Sequence, residues 1–431
     1  MVVSLREQIA SEAFKNRHRR ATNRFERQRK LSFMLILILI LRKSAKGLQT
    51  VLNEISGQLG KLLVTASAFS QARQQLSHTA FIELNQRTIQ PFCYADEDHQ
   101  RYRGYRVLAG DGSRLRLPEH ESVRTTFGAL AYTSGKDGQV AGTYACGQAY
   151  VLHDVLNKIV IDAHLAAATT AETELAIAAL ATSEAQDLLL YDRNFACYEL
   201  LAHHIHQQRH FVIRCSKSSF QTARDLFQAD QEASRQVTLY APPPRLKMVR
   251  HLGLPDSIRV RFVAVRLETG ELEVLVTSLL DELAFPSSDF KTIYHLRWGV
   301  ETLYDVLKTR LALENFSGKT AVAVQQEFHA TIFLTGLESL LTAEADHHLA
   351  QRTADNQLGQ TVNNMVSFAA IKQHALDLLL TEQDPTLLLR HLTDLFLLNP
   401  TYTRRKRRPP RRRISDRAAI TFWRYRRKVC F

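Results

Sequence analysis

The sequence predicts an α/β protein, a mixed sheet set into a chain whose two ends are helical. Three observations carry this. Short β-like runs follow one another between residues 103 and 164. The brief apolar run Leu188-Leu-Leu-Tyr191 has the length of a buried central strand and is followed by a helical segment. Helical periodicity governs the text before about residue 84 and again after Ser287.

The first thirty residues carry Lys15, Arg17, Arg19, Arg20, Arg24, Arg27, Arg29 and Lys30 with little apolar periodicity. That is the pattern of a basic arm able to lie along a phosphate backbone, or of a solvated terminus. From Leu31 to Leu84 the text is helical, with a break at Gly57 and Gly60. Its longest apolar run, Phe33 to Leu41, has about half of the roughly 20 residues that a membrane span needs, and reads as a buried helix. The stretch Val64 to Leu76 offers small capping residues followed by Gln71 and Arg73, side chains suited to base edges and phosphates.

Pro91 and the acidic stretch at 96–98 mark a boundary. Strands are then expected at Arg103 to Asp111, Ser113 to Leu117, Thr143 to Leu152 and Lys158 to His164, followed by a helix at Thr170 to Thr182. Next come the strand ending at Asp192 and a helix from Phe195 to Gln208. Several strands, a helix, a strand and a helix describe the start of a ribonuclease-H-like sheet. Further strands are expected at Phe211 to Cys215, Gln236 to Tyr240, Ile258 to Leu267 and Leu272 to Leu279, within an inserted β-rich segment. After the helical stretch that ends near Asn399, a basic tail opens at Arg404 and carries Trp423 and Tyr425 among further arginines.

A chain of 431 residues with a net charge of +13 predicts two or three structural units and polyanionic partners, nucleic acid first. The five cysteines (Cys93, Cys146, Cys197, Cys215 and Cys430) contain no Cys-x-x-Cys pair, which fits a reducing cytoplasm. His203-His204-x-His206 and His347-His348 have no partners at zinc spacing and read as surface or interface histidines. Glu172 and Glu174 read as solvated, and no phosphate-binding glycine loop supports ATP dependence.

Cleaving a phosphodiester at neutral pH needs an activated water or hydroxyl and neutralised charge on the phosphoryl group, which two divalent ions held by carboxylates can supply. Asp111 lies in Gly110-Asp-Gly-Ser113, where flanking glycines let backbone approach closely. Asp192 ends the apolar strand, at the edge where ligands gather. Taken alone, each of the two also reads as a turn former or helix cap. On a continuous helix, Tyr294, Arg297, Glu301 and Lys308 fall within an arc of about 60°, with Trp298 beside them. Leu296, Val300, Leu303 and Leu307 form a separate apolar face. One carboxylate between two cations and a phenol suits metal-bound phosphate.

The spacing Tyr-x2-Arg-x3-Glu-x6-Lys at Tyr294, Arg297, Glu301 and Lys308 resembles the signature of the insertion-sequence-four family of bacterial transposases. Gly110-Asp-Gly-Ser113 and Leu190-Tyr-Asp-Arg-Asn-Phe195 look like that family's two Asp motifs, in the right order. The likeness extends to Ser67 to Arg73 and to Phe211-Val-Ile-Arg214, covering roughly residues 30 to 340. Asn194 departs from the pattern, which has Gly there.

The resemblance implies a ribonuclease-H-like catalytic core, a β-rich insertion before the Glu, and two divalent ions, Mg2+ or in its place Mn2+, held by Asp111, Asp192 and Glu301. It also implies that Tyr294, Arg297 and Lys308 hold terminal phosphates and that Trp298 stacks on or replaces a displaced base. The expected organisation is a basic arm and helical DNA-binding domain at 1–90, the first part of the catalytic core at 91–210, the insertion at 211–285, the rest of the core at 286–345, and a helical region with basic tail at 346–431. The expected partners are double-stranded DNA, as element ends and target, and a second copy of the chain once assembled on DNA. No membrane is expected, and the place of action is the bacterial cytoplasm, at the nucleoid. The rival readings are a nuclease of the same fold without strand transfer and a non-catalytic DNA-binding regulator.

Overall fold

The computed structural model describes residues 1–26, 30–44, 46–61, 64–95, 99–133 and 140–404. Arg27, Arg29, the acidic stretch at 96–98, Cys430 and the basic tail beyond Arg404, with Trp423 and Tyr425, lie outside the described residues. Two compact units divide the chain, each assembled from separate stretches. The first takes Met1–Ala95, Leu115–Gly147 and the described part of Asp305–Phe431; the second takes Asp96–Arg114 and Gln148–Tyr304.

The strands are β1 (Arg106–Arg116), β2 (Ala129–Thr133), β3 (Val140–Asp154), β4 (Ile159–Ala167), β5 (Asp187–Tyr191), β6 (His210–Arg214), β7 (Ala233–Tyr240), β8 (Ser257–Arg266) and β9 (Leu272–Thr277). They form one sheet in the order β2-β3-β1-β5-β6-β9-β8-β7, with β4 also on β3. The two strands expected on either side of Gly112 are the single strand β1. Hydrogen bonds from Val155 N to Val107 O and from Leu117 N to Ala145 O run β3 opposite to β1, and a tight turn returns β4 beside it. A helix at Glu172–Ala179 then crosses to β5, which lies parallel to β1. A second helix, Tyr198–His206, crosses to the parallel β6. Antiparallel strands first, then parallel strands reached by helical crossovers on the other edge of β1, is the ribonuclease-H-like arrangement.

Every residue of β5 is buried, as expected of a parallel strand covered on both faces. That is why it reads as an unbroken apolar run. β6, at the start of the expected insertion 211–285, is itself a core strand, and the rest of that stretch pairs edge to edge with it through Val212↔Thr277, with β8 and β7 extending the sheet further. It also holds helices at Gln221–Ala229 and Pro243–His251.

The first unit is mostly helical. Helices at Val2–Ala10 and Glu12–His18 occupy most of the expected basic arm and bury Val2, Leu5, Ile9 and Phe14. The run Phe33–Leu41 is a helix with all but one of its side chains buried. The long helix Ala321–Arg352 carries much of the unit's core. Among the described residues, no helix is long and apolar enough to cross a membrane.

One predicted DNA contact is corrected here. Arg73 is 1% exposed, and its guanidinium donates to Gln326 Oε1 (2.9 Å), Glu327 Oε1 (2.9 Å) and Ser317 Oγ (3.1 Å). It therefore fastens the Ala66–Arg73 helix to the Ala321–Arg352 helix. Gln71 is exposed on the same short helix.

Candidate active site

Strands β1 and β5 pair in parallel through Gly110↔Tyr191. Asp111 and Asp192, one residue further along each strand, therefore stand side by side at adjoining positions of the sheet. Gly110 is required there, because a Cβ would overlap the buried Tyr150 hydroxyl and the Tyr191 ring. The Gly112 N–H donates to Asp111 Oδ1 (2.9 Å), and the Asn194 N–H donates to Asp192 Oδ1 (2.8 Å). The turn after Asp192 is a single 3-10 turn, Arg193–Phe195, and Asn194 is not among the non-glycine residues of positive φ. The departure from glycine thus costs no backbone strain at that position.

Burial first, and the neighbouring Asp192 second, push the Asp111 carboxyl up to about 7. Both causes disfavour the negative charge and outweigh the opposing pull of the Gly112 N–H and of Arg297, and a divalent ion would relieve them. The Asp pair therefore fits a metal.

Sequence reasoning missed Glu172. It is half-buried, Gln148 Nε2 donates to it at 3.0 Å, and burial and then Asp192 hold its carboxyl above the ordinary range. Its position at the start of the helix that follows β4 and crosses to the Asp192 strand was the available signal. Asp111 also registers the Glu172 charge. His204, read as a surface or interface histidine, is wholly buried within the fold, and burial drives its pKa down to about 3.

The expected continuous helix from Tyr294 to Lys308 is interrupted. One helix spans Asp289–His295 and the next spans Trp298–Asp305, followed by a π-helical turn at Val306–Arg310. The break turns Tyr294 and Arg297 inward, to 3% and 4% exposure, where a regular helix would have shared one outward stripe among all four residues. The Arg297 guanidinium stacks over the rings of Trp298 (5.1 Å) and Tyr294 (5.7 Å). Among the described residues, the Tyr294 hydroxyl and Arg297 Nε have no hydrogen-bond partner. Trp298 is half exposed, and Lys308 is half-buried in the π-helical turn.

Glu301 is held by Arg297, Nη2 to Oε1 at 2.5 Å. Three residues on, the Tyr304 hydroxyl donates to the Asp111 carbonyl (3.1 Å) and ties this helix to the first Asp strand. Among the described residues, no three His, Cys, Asp or Glu side chains already form a metal cage. Asp111 and Asp192 are brought together, whereas the Glu301 carboxylate points to Arg297, which itself registers the charge of Asp111.

Residues 102–337 match the model of the transposase DDE domain family. The transposase InsG for insertion sequence element IS4 of Escherichia coli (strain K12) is 24% identical over 294 residues. The alignment covers 66% of this chain and 63% of that protein, so the chain spans less than two thirds of that relative's length. The piggyBac transposase synaptic complex with hairpin DNA is similar at a TM-score of 0.46 and 11% identity, over 92% of this chain and 85% of that one. The matched stretch is more than half of the chain and runs from β1 past the Glu301 helix, taking in all three acids, and the chain belongs to the transposase DDE domain family.

Proposed function

We propose that this protein is a transposase that binds the terminal inverted repeats of a bacterial insertion sequence, cuts the DNA there and joins the freed ends to a target. One observation carries the reading: Asp111 and Asp192 stand at adjoining positions of parallel strands, with the Asp111 carboxyl pushed up to about 7. Asp111 and Asp192 would hold the metal, with Glu301 completing the set once it turns from Arg297. Two Mg2+ ions, which Mn2+ can replace, would supply activation of the attacking oxygen and charge neutralisation on phosphorus.

The protein's own groups divide the remaining work. Arg297 and Lys308 would neutralise phosphate, the orphan Tyr294 hydroxyl would donate to it, and the half-exposed Trp298 ring offers a stacking face. Gln71 would touch DNA from the helical unit. In the first step water attacks phosphorus and the 3′ oxygen leaves with a proton. In the second step that 3′ hydroxyl attacks a target phosphodiester, and one P–O bond replaces another. Each element end must be cut and both joined to one target, so two copies of the chain would act together on DNA. This places the work at the bacterial nucleoid, in the cytoplasm.

The test uses a DNA fragment bearing terminal inverted repeats, sought in the DNA on either side of the reading frame. Wild type should nick it in Mg2+ and transfer pre-cut ends to a second duplex. Asp111→Ala, Asp192→Ala and Glu301→Ala should bind the fragment and leave it uncut. Metal-dependent cutting by any of the three would remove that residue from the ligand set. Cutting without transfer would leave a nuclease.

A further inference from the structure

We propose that Glu172 is a positioning residue of the metal site, one that seats Asp111 and adds a third negative charge to the Asp111–Asp192 pair. The proposal rests on the transposase reading above and deepens it. A Cβ on Gly112 would lie 2.5 Å from Glu172 Cδ and Oε1, so the carboxylate is seated directly on the residue that follows Asp111. Position 112 must therefore stay bare for Glu172 to reach it. The Gly112 N–H is in turn the donor that orients Asp111 Oδ1, at 2.9 Å.

Glu172 is itself braced. Gln148, 3% exposed, donates to it at 3.0 Å, and the same Nε2 donates to Ala149 O (3.2 Å). Asp192 acts electrostatically on both Asp111 and Glu172, and Arg114 acts on Glu172. Glu172 therefore sits against the residue that follows Asp111, while Glu301 is engaged by Arg297. Groups that orient metal ligands typically change metal affinity about 10- to 100-fold when altered.

The test is Mn2+ binding to the full chain without DNA, followed by the EPR signal of the free ion. Glu172→Gln keeps the size and the acceptor for Gln148 but drops the charge. It should weaken Mn2+ binding about tenfold while the metal-free protein melts at or above the wild-type temperature, since a charge repelled by Asp192 is gone. A purely structural side chain would lower the melting temperature and leave Mn2+ affinity alone. Asp192→Asn is the reference and should bind more weakly still. If Asp192→Asn loses Mn2+ but Glu172→Gln binds as wild type, the Glu172 proposal falls and the metal site stands. If Asp192→Asn also binds as wild type, the metal-site reading falls and takes this proposal with it.

Discussion

Asp111 is the residue whose environment has the sharpest measurable consequence. Its carboxyl ionises at 3.8 in an unfolded chain and at about 7 when folded. Between those values the folded state keeps a proton that the unfolded state releases. The associated stability is full below 3.8 and is lost as the pH rises to about 7, on the order of a few kcal/mol in all. Asp111→Asn does not titrate. In chelator, its melting temperature should match wild type near pH 4 and exceed it by several degrees at pH 8. Coincident melts at pH 8 would show that the carboxyl ionises without cost. The same proton must leave before metal binds, so Mn2+ affinity should fall by up to about tenfold per unit as the pH drops below about 7. Both Asp positions were legible in the sequence, because an apolar run ending in Asp beside a glycine or a turn is local information. Glu172 was not, because what makes it matter is a glycine sixty residues earlier.

At the scale of elements, the misreadings share one cause. Periodicity reports which faces are apolar but not whether a polar face meets water or another helix. The Ala66–Arg73 helix has the composition of a surface helix, yet Arg73 is sealed against Glu327 and Gln326. The Tyr294–Arg297–Glu301 stripe presumes an unbroken helix, and the two-residue interruption at 296–297 sends its first two members inside. Arg73→Met should cost about 1.5–3 kcal/mol, since buried Glu327 loses one charged donor while keeping Lys43 at 3.8 Å and the Ser317 and Gly318 donors. DNA affinity measured on the folded fraction should be unchanged. A DNA-binding loss with intact stability would restore Arg73 to the interface. The strands were read well wherever alternation or an apolar run marked them. The Pro243–His251 helix was hidden by the prolines at its start, which suit a first helical turn as well as a loop.

At the scale of the molecule, charge is distributed very unevenly. Residues 405–431 contain twelve Lys and Arg against one Asp, eleven of the +13 net charges. A chain ending at Arg404 should therefore bind DNA more weakly, with a visibly shallower dependence of log affinity on log salt, by about 0.9 for each phosphate that the tail had neutralised. Mn2+ binding should be the same. An unaltered salt slope would assign those charges to solvent. The sequence order predicted the ribonuclease-H-like core, but not that pairing would run unbroken from β6 into β9, because edge partners lie far apart along the chain. The Tyr304 hydroxyl bond has one further consequence. It grips the backbone carbonyl of residue 111, a group every amino acid carries, so replacing the aspartate leaves the Glu301 helix anchored. Losing the tyrosine does the reverse. Decay of such a gene can thus begin at codon 304, and a reader checking only for three acids would score that copy as sound.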